Sequence, residues 1–171
     1  MIIKPQFSII TPRFSLRTLD ETDNLELYLS WMKDVISNQY ILSVRLDYSM
    51  EELTDYINKI NLVSNAVLLG IFDKKSNMHI GNIKYSNINA PEGSAEMGIM
   101  IGQREYRGQG VGAEVIRASN LWLKTEYLIE KIVLGVNLEN KLALLLYRKL
   151  GFKQIGPKSL AGNGIKMELF L

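Results

Sequence analysis

Residues 13–19 read RFSLRTL, alternating apolar and polar positions with the period of two expected of a half-buried strand. The acidic DETD that follows suits the first turn of a helix running through LELYLSWMK, because carboxylates complement the positive end of a helix dipole. Ser49 and Glu52 have capping-box spacing and predict a second helix to about Asn61. The period then changes. AVLLGIF (66–72), HIGNIKYSNI (79–88) and AEMGIMI (95–101) read as strands separated by the polar turns DKKSNM and NAPEGS, which predicts an antiparallel meander.

A glycine run breaks this pattern. Residues 104–116 read REYRGQGVGAEVI, and beyond them Val111, Val115, Ala118 and Trp122 fall on one helical face at i, i+4, i+7 and i+11. KIVLGVN (131–137) is a further strand, so strand, glycine loop, helix and strand form a βαβ unit whose two strands should be parallel. Asn140 to Leu150 makes a Leu-rich helix ended by Gly151 in the C-terminal cap position. FKQIG and IKMELFL supply the last two strands. The last one is apolar enough to suit either a core strand or a homodimer contact, which leaves monomer and homodimer open.

Composition narrows the class. The chain has 171 residues, of which 47% are hydrophobic, and a formal net charge of +2. Those values fit one soluble globular domain over residues 1–171 and give no case for nucleic acid as a partner. No apolar stretch approaches a membrane span, and MIIKPQFSIITPRF lacks a signal-peptide core, so no membrane partner and a cytoplasmic location are expected. Cysteine is absent, which excludes disulfides, thiolate metal sites and a cysteine-bound acyl intermediate. The single histidine, His79, leaves little material for zinc or for a Ser-His-Asp relay, so no metal is expected.

Three glycines in five positions, Gly108, Gly110 and Gly112, let backbone N–H groups converge on one anion at a helix start. An ATPase loop needs Lys and then Ser or Thr after its last glycine, and Ala113-Glu114 stands there. A dinucleotide loop can be placed on Gly108, Gly110 and Ala113, but the next strand ends in Asn137 where an acidic residue is expected. It ranks second.

Arg107-Gly-Gln-Gly110-Val-Gly112 resembles the Q/R-x-x-G-x-G/A pyrophosphate loop of the GNAT superfamily, the acetyl-CoA-dependent N-acetyltransferases. Asn137-Leu-Glu-Asn140-Lys-Leu-Ala143, followed by Leu-Tyr147-Arg-Lys-Leu-Gly151-Phe152, resembles that family's N-x-x-N-x-x-A…L-Y-x-K-x-G-F segment. The opening TPRFSLRTLDETDNLELYLSWMKD is similar to the subgroup that includes ribosomal-protein N-terminal acetyltransferases.

The resemblance implies an α/β fold of the α+β type, with a mixed, mostly antiparallel sheet of about seven strands, about four helices and a central βαβ unit for CoA. It implies acetyl-CoA as co-substrate, held by the loop Arg107, Gly108, Gln109, Gly110, Val111 and Gly112. The pantetheine strand would be Ile99, Met100 and Ile101, and Asn137, Asn140 and Tyr147 would contact the cofactor. The strand KIVLGVN would splay from the pantetheine strand and open a V for the thioester.

With no cysteine, direct attack of an amine in a ternary complex is the simplest course. Tyr147, two helical turns after Asn140, is the candidate acid: a core role is the better reading of a tyrosine in so Leu-rich a helix, and the family resemblance of the surrounding segment reverses it. Glu96 is the candidate base at the start of the pantetheine strand. It shares a face with Gly98 and Met100, and the side that meets the acceptor is open.

His79 reads as a turn-packing or surface residue. Trp31, Tyr40, Arg45 and Tyr48 lie where the family builds its acceptor wall, and each also has a core or solvated reading. HIGNIKYSNIN is similar to the third strand of members tied to amino-sugar modification. The expected acceptor is therefore a small amine such as an amino sugar or sugar nucleotide. A protein N-terminus is the alternative, and a non-catalytic acyl-CoA-binding module is a third reading.

Overall fold

A computed structural model describes residues 8–40, 47–160 and 163–171. Its strands are β1 (Ile9–Ile10), β2 (Phe14–Thr18), β3 (Val67–Asp73), β4 (His79–Asn89), β5 (Ser94–Ile101), β6 (Lys131–Asn137), β7 (Lys153–Leu160) and β8 (Gly164–Phe170). They form one sheet in the order β1-β2-β3-β4-β5-β6-β8-β7, in which only β5 and β6 run parallel. The two-residue β1, paired with β2, brings the count to eight where the alternation predicts seven; a strand of two residues has too few positions to show a period. β8 is an inner strand, flanked by β6 and β7.

The helices are α1 (Leu25–Lys33), α2 (Val35–Asn38), α3 (Met50–Leu62), α4 (Val111–Tyr127) and α5 (Lys141–Lys149). The DETD stretch is a turn ahead of α1, not its first turn. Asn24 caps α1, and Asp23 turns back to bind Arg17 at 2.6 Å. An Asn cap and a carboxylate with a nearer cation outcompete the helix dipole for those acidic residues. The box at α3 forms as its spacing predicts: Glu52 N donates to Ser49 Oγ at 3.1 Å and Ser49 N to Glu52 Oε2 at 2.9 Å.

Two cores lie on opposite faces of the sheet. On one face α4 and α5 cover Leu16, Leu69, Ile83, Met97, Ile132 and their neighbours. On the other, α1 and α3 cover Leu68 and Phe72, with Met100 packed at the margin. The buried stripe of α4 is Val111, Val115, Ile116, Ser119, Asn120 and Leu123, while Ala118 and Trp122 sit half-buried at its edge. The stripe is offset because it carries polar residues. The fully buried Tyr85 hydroxyl donates to Asn120 Oδ1 at 2.6 Å and shares a 2.8 Å bond with Ser119 Oγ. An apolar-only count misses such satisfied polar positions.

Candidate active site

The β5–β6 ladder supplies the main feature of the site. It pairs Ser94 with Lys131, Ala95 with Ile132 and Glu96 with Val133, and then stops. Beyond that point β5 remains paired to β4 as far as Ile101, and β6 to β8 as far as Asn137. The two strands therefore diverge, and their facing edges carry backbone groups with no ladder partner across the gap. Ile99, Met100 and Ile101 form one arm of the V; Gly135 and Asn137 lie on the other.

The glycine loop closes the wide end of this gap. After the short 3-10 turn Arg104–Tyr106, the chain passes through Gly108 at φ 72° and Gly110 at φ 75°, and Gly110 is the N-cap of α4. Both values are left-handed, where glycine pays no Cβ penalty. The first helical bond of α4 is Glu114 N to Gly110 O at 3.2 Å, so the N–H groups of Val111 to Ala113 at its start have no helical carbonyl to meet. The helix dipole adds positive potential at the same place. Gly112 serves packing as well, since a Cβ there would stand 2.8 Å from Leu146 Cδ2 of α5. That close approach sets the α5 chain segment of Leu146 and Tyr147 against the start of α4.

The side chain of Arg107 is turned inward. Its Nε donates to the Ile101 carbonyl at 2.8 Å and its Nη2 to that of Gly102 at 3.0 Å, tying the loop to the end of β5. Asn140 caps α5 by accepting from Ala143 N, and Asn137 Oδ1 accepts from Glu139 N at 2.9 Å. Both asparagines thus shape the turn from β6 into α5. Tyr147 is buried at 7% exposure, tilted against Phe152 at 5.6 Å, and its hydroxyl bonds to none of the described residues. Burial pushes its pKa up to about 12, so the phenol keeps its proton at neutral pH.

The question of which face carries Glu96 is resolved by register. Ala95 and Met97 enter the core under α4, so Glu96, Gly98 and Met100 lie on the α1–α3 face. Cross-strand pairs continue that face as rows. Ser86, Glu96, Val133 and Glu168 make one row; Lys84 beside Gly98 and Gly135 beside Lys166 make the next, across the gap. A Cβ at Gly98 or Gly135 would meet no atom of the described residues within 4 Å. These two glycines keep the V open on that face, and sequence reasoning missed them. Each looks like an ordinary strand glycine until the register sets them in the same row.

His79 is not at a surface turn. It stands at 6% exposure in an aromatic box, stacked on Phe72 at 4.9 Å, with Trp31 and Tyr28 edge-on at 4.9 and 6.2 Å. Its Nε2 faces the Gly81 carbonyl at 3.0 Å and Asn82 Oδ1 at 2.8 Å, so that nitrogen carries the proton, and its Nδ1 has no partner among the described residues. Burial lowers its pKa below 6.5, outweighing the bonds to Asn82 and Gly81. The unfolded chain therefore binds a proton near pH 6.5 that the folded chain refuses, and stability falls as pH drops below that value. His79→Leu is expected to flatten this fall, measured as urea-unfolding free energies between pH 7.5 and pH 5 (about these values, spanning the ordinary imidazole range).

Trp31 is core, and its ring occupies the space a Cβ at Gly102 would need. Tyr40 and Tyr48 are half-buried, and Arg45 lies outside the described residues. No group of His, Asp and Glu suited to a metal occurs among the described residues, and none of their helices is long and apolar enough to cross a membrane.

Arg13 and Glu114 were also missed. Arg13 Nη1 donates to the Gln109 carbonyl at 2.9 Å and its Nε to Glu114 Oε2 at 2.7 Å. Sequence separation hides the pair; the only signal was an acidic residue in the first turn of the helix after the glycines.

The chain is similar in sequence and fold to known proteins. The chain is 25% identical over 159 residues to an N-acetyltransferase 9-like protein of Caenorhabditis briggsae, covering 87% of this chain and 79% of that one. It is 39% identical over 51 residues, 30% of each chain, to an N-alpha-acetyltransferase of Sulfurisphaera tokodaii. The fold superposes with a TM-score of 0.81 on spermidine N-acetyltransferase from Vibrio cholerae, solved in complex with CoA and spermine, at 24% identity over 92% of this chain and 95% of that one. The family model described as the acetyltransferase (GNAT) domain matches residues 13–153, which span loop, splay and Tyr147 alike. With that match over most of its length, the chain belongs to the GNAT acetyltransferase family.

Proposed function

We propose that the protein moves an acetyl group from acetyl-CoA to a primary amine by direct attack within a ternary complex. The observation that carries this reading is the end of the β5–β6 ladder at Glu96 and Val133, from which β5 runs on to Ile101 and the glycine loop that starts α4. The loop from Arg107 to Gly112 would hold the pyrophosphate, and the free edge of Ile99, Met100 and Ile101 would pair with the pantetheine arm. Backbone donors at the splay suit a thioester oxygen as charge develops on it.

The two sheet faces support a division of labour. The amine arrives on the α1–α3 face over Gly98 and Gly135, with Glu96 in the adjoining row to receive its proton. Its nitrogen bonds to the acetyl carbon as the C–S bond breaks. Tyr147, from the α4–α5 side, gives its proton to the departing thiolate, and a phenol that stays protonated suits that task. An amine of pKa about 10.4 needs more help to shed its proton than an α-amino group near 8.

The acceptor we favour is a small amine such as an amino sugar or sugar nucleotide. Lys84 and Lys166 flank the glycine-lined opening and suit phosphate groups, while Glu96 and Glu168 in the next row suit an ammonium. A protein N-terminus is the second reading, favoured by the likeness to an N-alpha-acetyltransferase. The test is thermal stability with acetyl-CoA, followed by thiol release against a panel of amino sugars, sugar nucleotides, polyamines and peptides. Stabilisation with release by one amine class is expected. Stabilisation without release from any class would leave an acyl-CoA-binding module, and no stabilisation would sink the CoA site itself.

A further inference from the structure

The peptide joining Gln109 to Gly110 lies where the loop turns into α4. Gly110, at φ 75° on one side of this peptide, has no side chain to resist its half-turn. In a trans peptide the carbonyl and the N–H point in opposite directions. Such a flip would therefore exchange a donor facing an anion for an oxygen that repels it. The orientation of one peptide decides whether the loop can bind a pyrophosphate.

Arg13 fixes that orientation by taking the Gln109 carbonyl, which sends the Gly110 N–H the other way. Glu114 holds Arg13 from two sides: Oε2 accepts from Nε at 2.7 Å, and Oε1 from the Arg13 backbone N–H at 2.9 Å. Thr11 Oγ1 donates to the same Oε1 at 2.6 Å. Because Glu114 belongs to the first turn of α4, the contacts close a ring from loop to guanidinium to carboxylate to helix. Burial alone would raise the Glu114 carboxyl, but the bonds from Thr11 and Arg13 hold it below the usual range, so the ring stays ionised at neutral pH.

As a source of stability the pair is modest, with side-chain exposures of 47% and 17%. Arg13 Nη2, meanwhile, lies 3.6 Å from where a Gly110 Cβ would stand, so the guanidinium sits directly at the loop. We infer that Arg13, oriented by Glu114, is a positioning residue that keeps the Gln109–Gly110 peptide with its N–H toward the pyrophosphate of CoA. The inference rests on the reading of this loop as the CoA site.

Calorimetric titration of the full-length protein and of its Arg13→Ala, Arg13→Lys and Glu114→Gln variants with CoA, and with pantetheine, tests it. Arg13→Ala is expected to weaken CoA binding about tenfold, the loss of one charge-assisted contact. Arg13→Lys should recover part of that loss, Glu114→Gln should show a smaller one, and pantetheine, which lacks the pyrophosphate, should bind all four proteins alike. CoA binding within twofold of wild type in both Arg13→Ala and Glu114→Gln would overturn the inference. An equal loss for pantetheine would also overturn it, by showing a general structural defect. Failure of the wild-type protein to bind CoA would instead overturn the reading of the loop, and the inference with it.

Discussion

Tyr147→Phe is expected to lower the rate constant for acetyl transfer about a hundredfold while leaving CoA affinity within about twofold of wild type, the lower end of the range for a positioned general acid. The substitution removes one oxygen from a side chain whose ring packing against Phe152 stays intact. That oxygen bonds to none of the described residues, so its loss breaks no protein contact and the melting temperature should hold or rise slightly. Steady-state kinetics with a responsive amine, alongside titration with CoA, separate the two effects. Transfer at the wild-type rate would remove Tyr147 as the proton donor and leave it a core residue.

Filling the mouth of the V should produce an enzyme that is at least as stable as wild type and nearly inactive. Gly98→Leu and Gly135→Leu each add a side chain on the α1–α3 face at a position where its Cβ has no atom of the described residues within 4 Å, so the side chain starts into open space. Glycine weakens a strand interior, and its replacement removes that weakness. The acceptor then loses its approach to the thioester, and a misplacement of about 1 Å is enough to cost about a hundredfold in rate. The expected result is a drop of about a hundredfold or more in kcat/KM for the amine, with a melting temperature equal to or above that of wild type. Full activity in both variants would show that the amine does not enter between these two glycines.

Much of this arrangement was legible before any coordinates. Each long element announced itself through a period, and the capping box at Ser49 and the left-handed Gly151 after α5 are local rules that need no tertiary context. The family was legible because the glycine loop and the Tyr147 segment are short continuous stretches that resemble GNAT motifs, and the family match spans both. What stayed hidden depends on pairs far apart in the chain. Gly98 and Gly135 gain meaning only from register across a splayed ladder, and Arg13 meets Glu114 across 101 positions. His79 misled because a polar residue beside a turn is usually wet. Phe72, Trp31 and Tyr28 come from two other elements to bury it. DETD misled because two rules competed, and a nearby guanidinium won over a helix dipole.

The short β5–β6 ladder also has a mechanical side. Strands β1 to β5 form one panel and β6, β8 and β7 another, and three residue pairs are the whole of the ladder that hinges them. Helix packing holds the panels on the α4 face, whereas the sheet itself has a seam running from Glu96 to the loop. An acyl-CoA arm lying in that seam would act as a stitch between the panels, bonded to the backbone of one and bearing on the other. Its binding energy would then add to the cohesion of the whole sheet. Under the proposed CoA site, a bound acyl-CoA would add to the stability of the protein as well as feed its reaction.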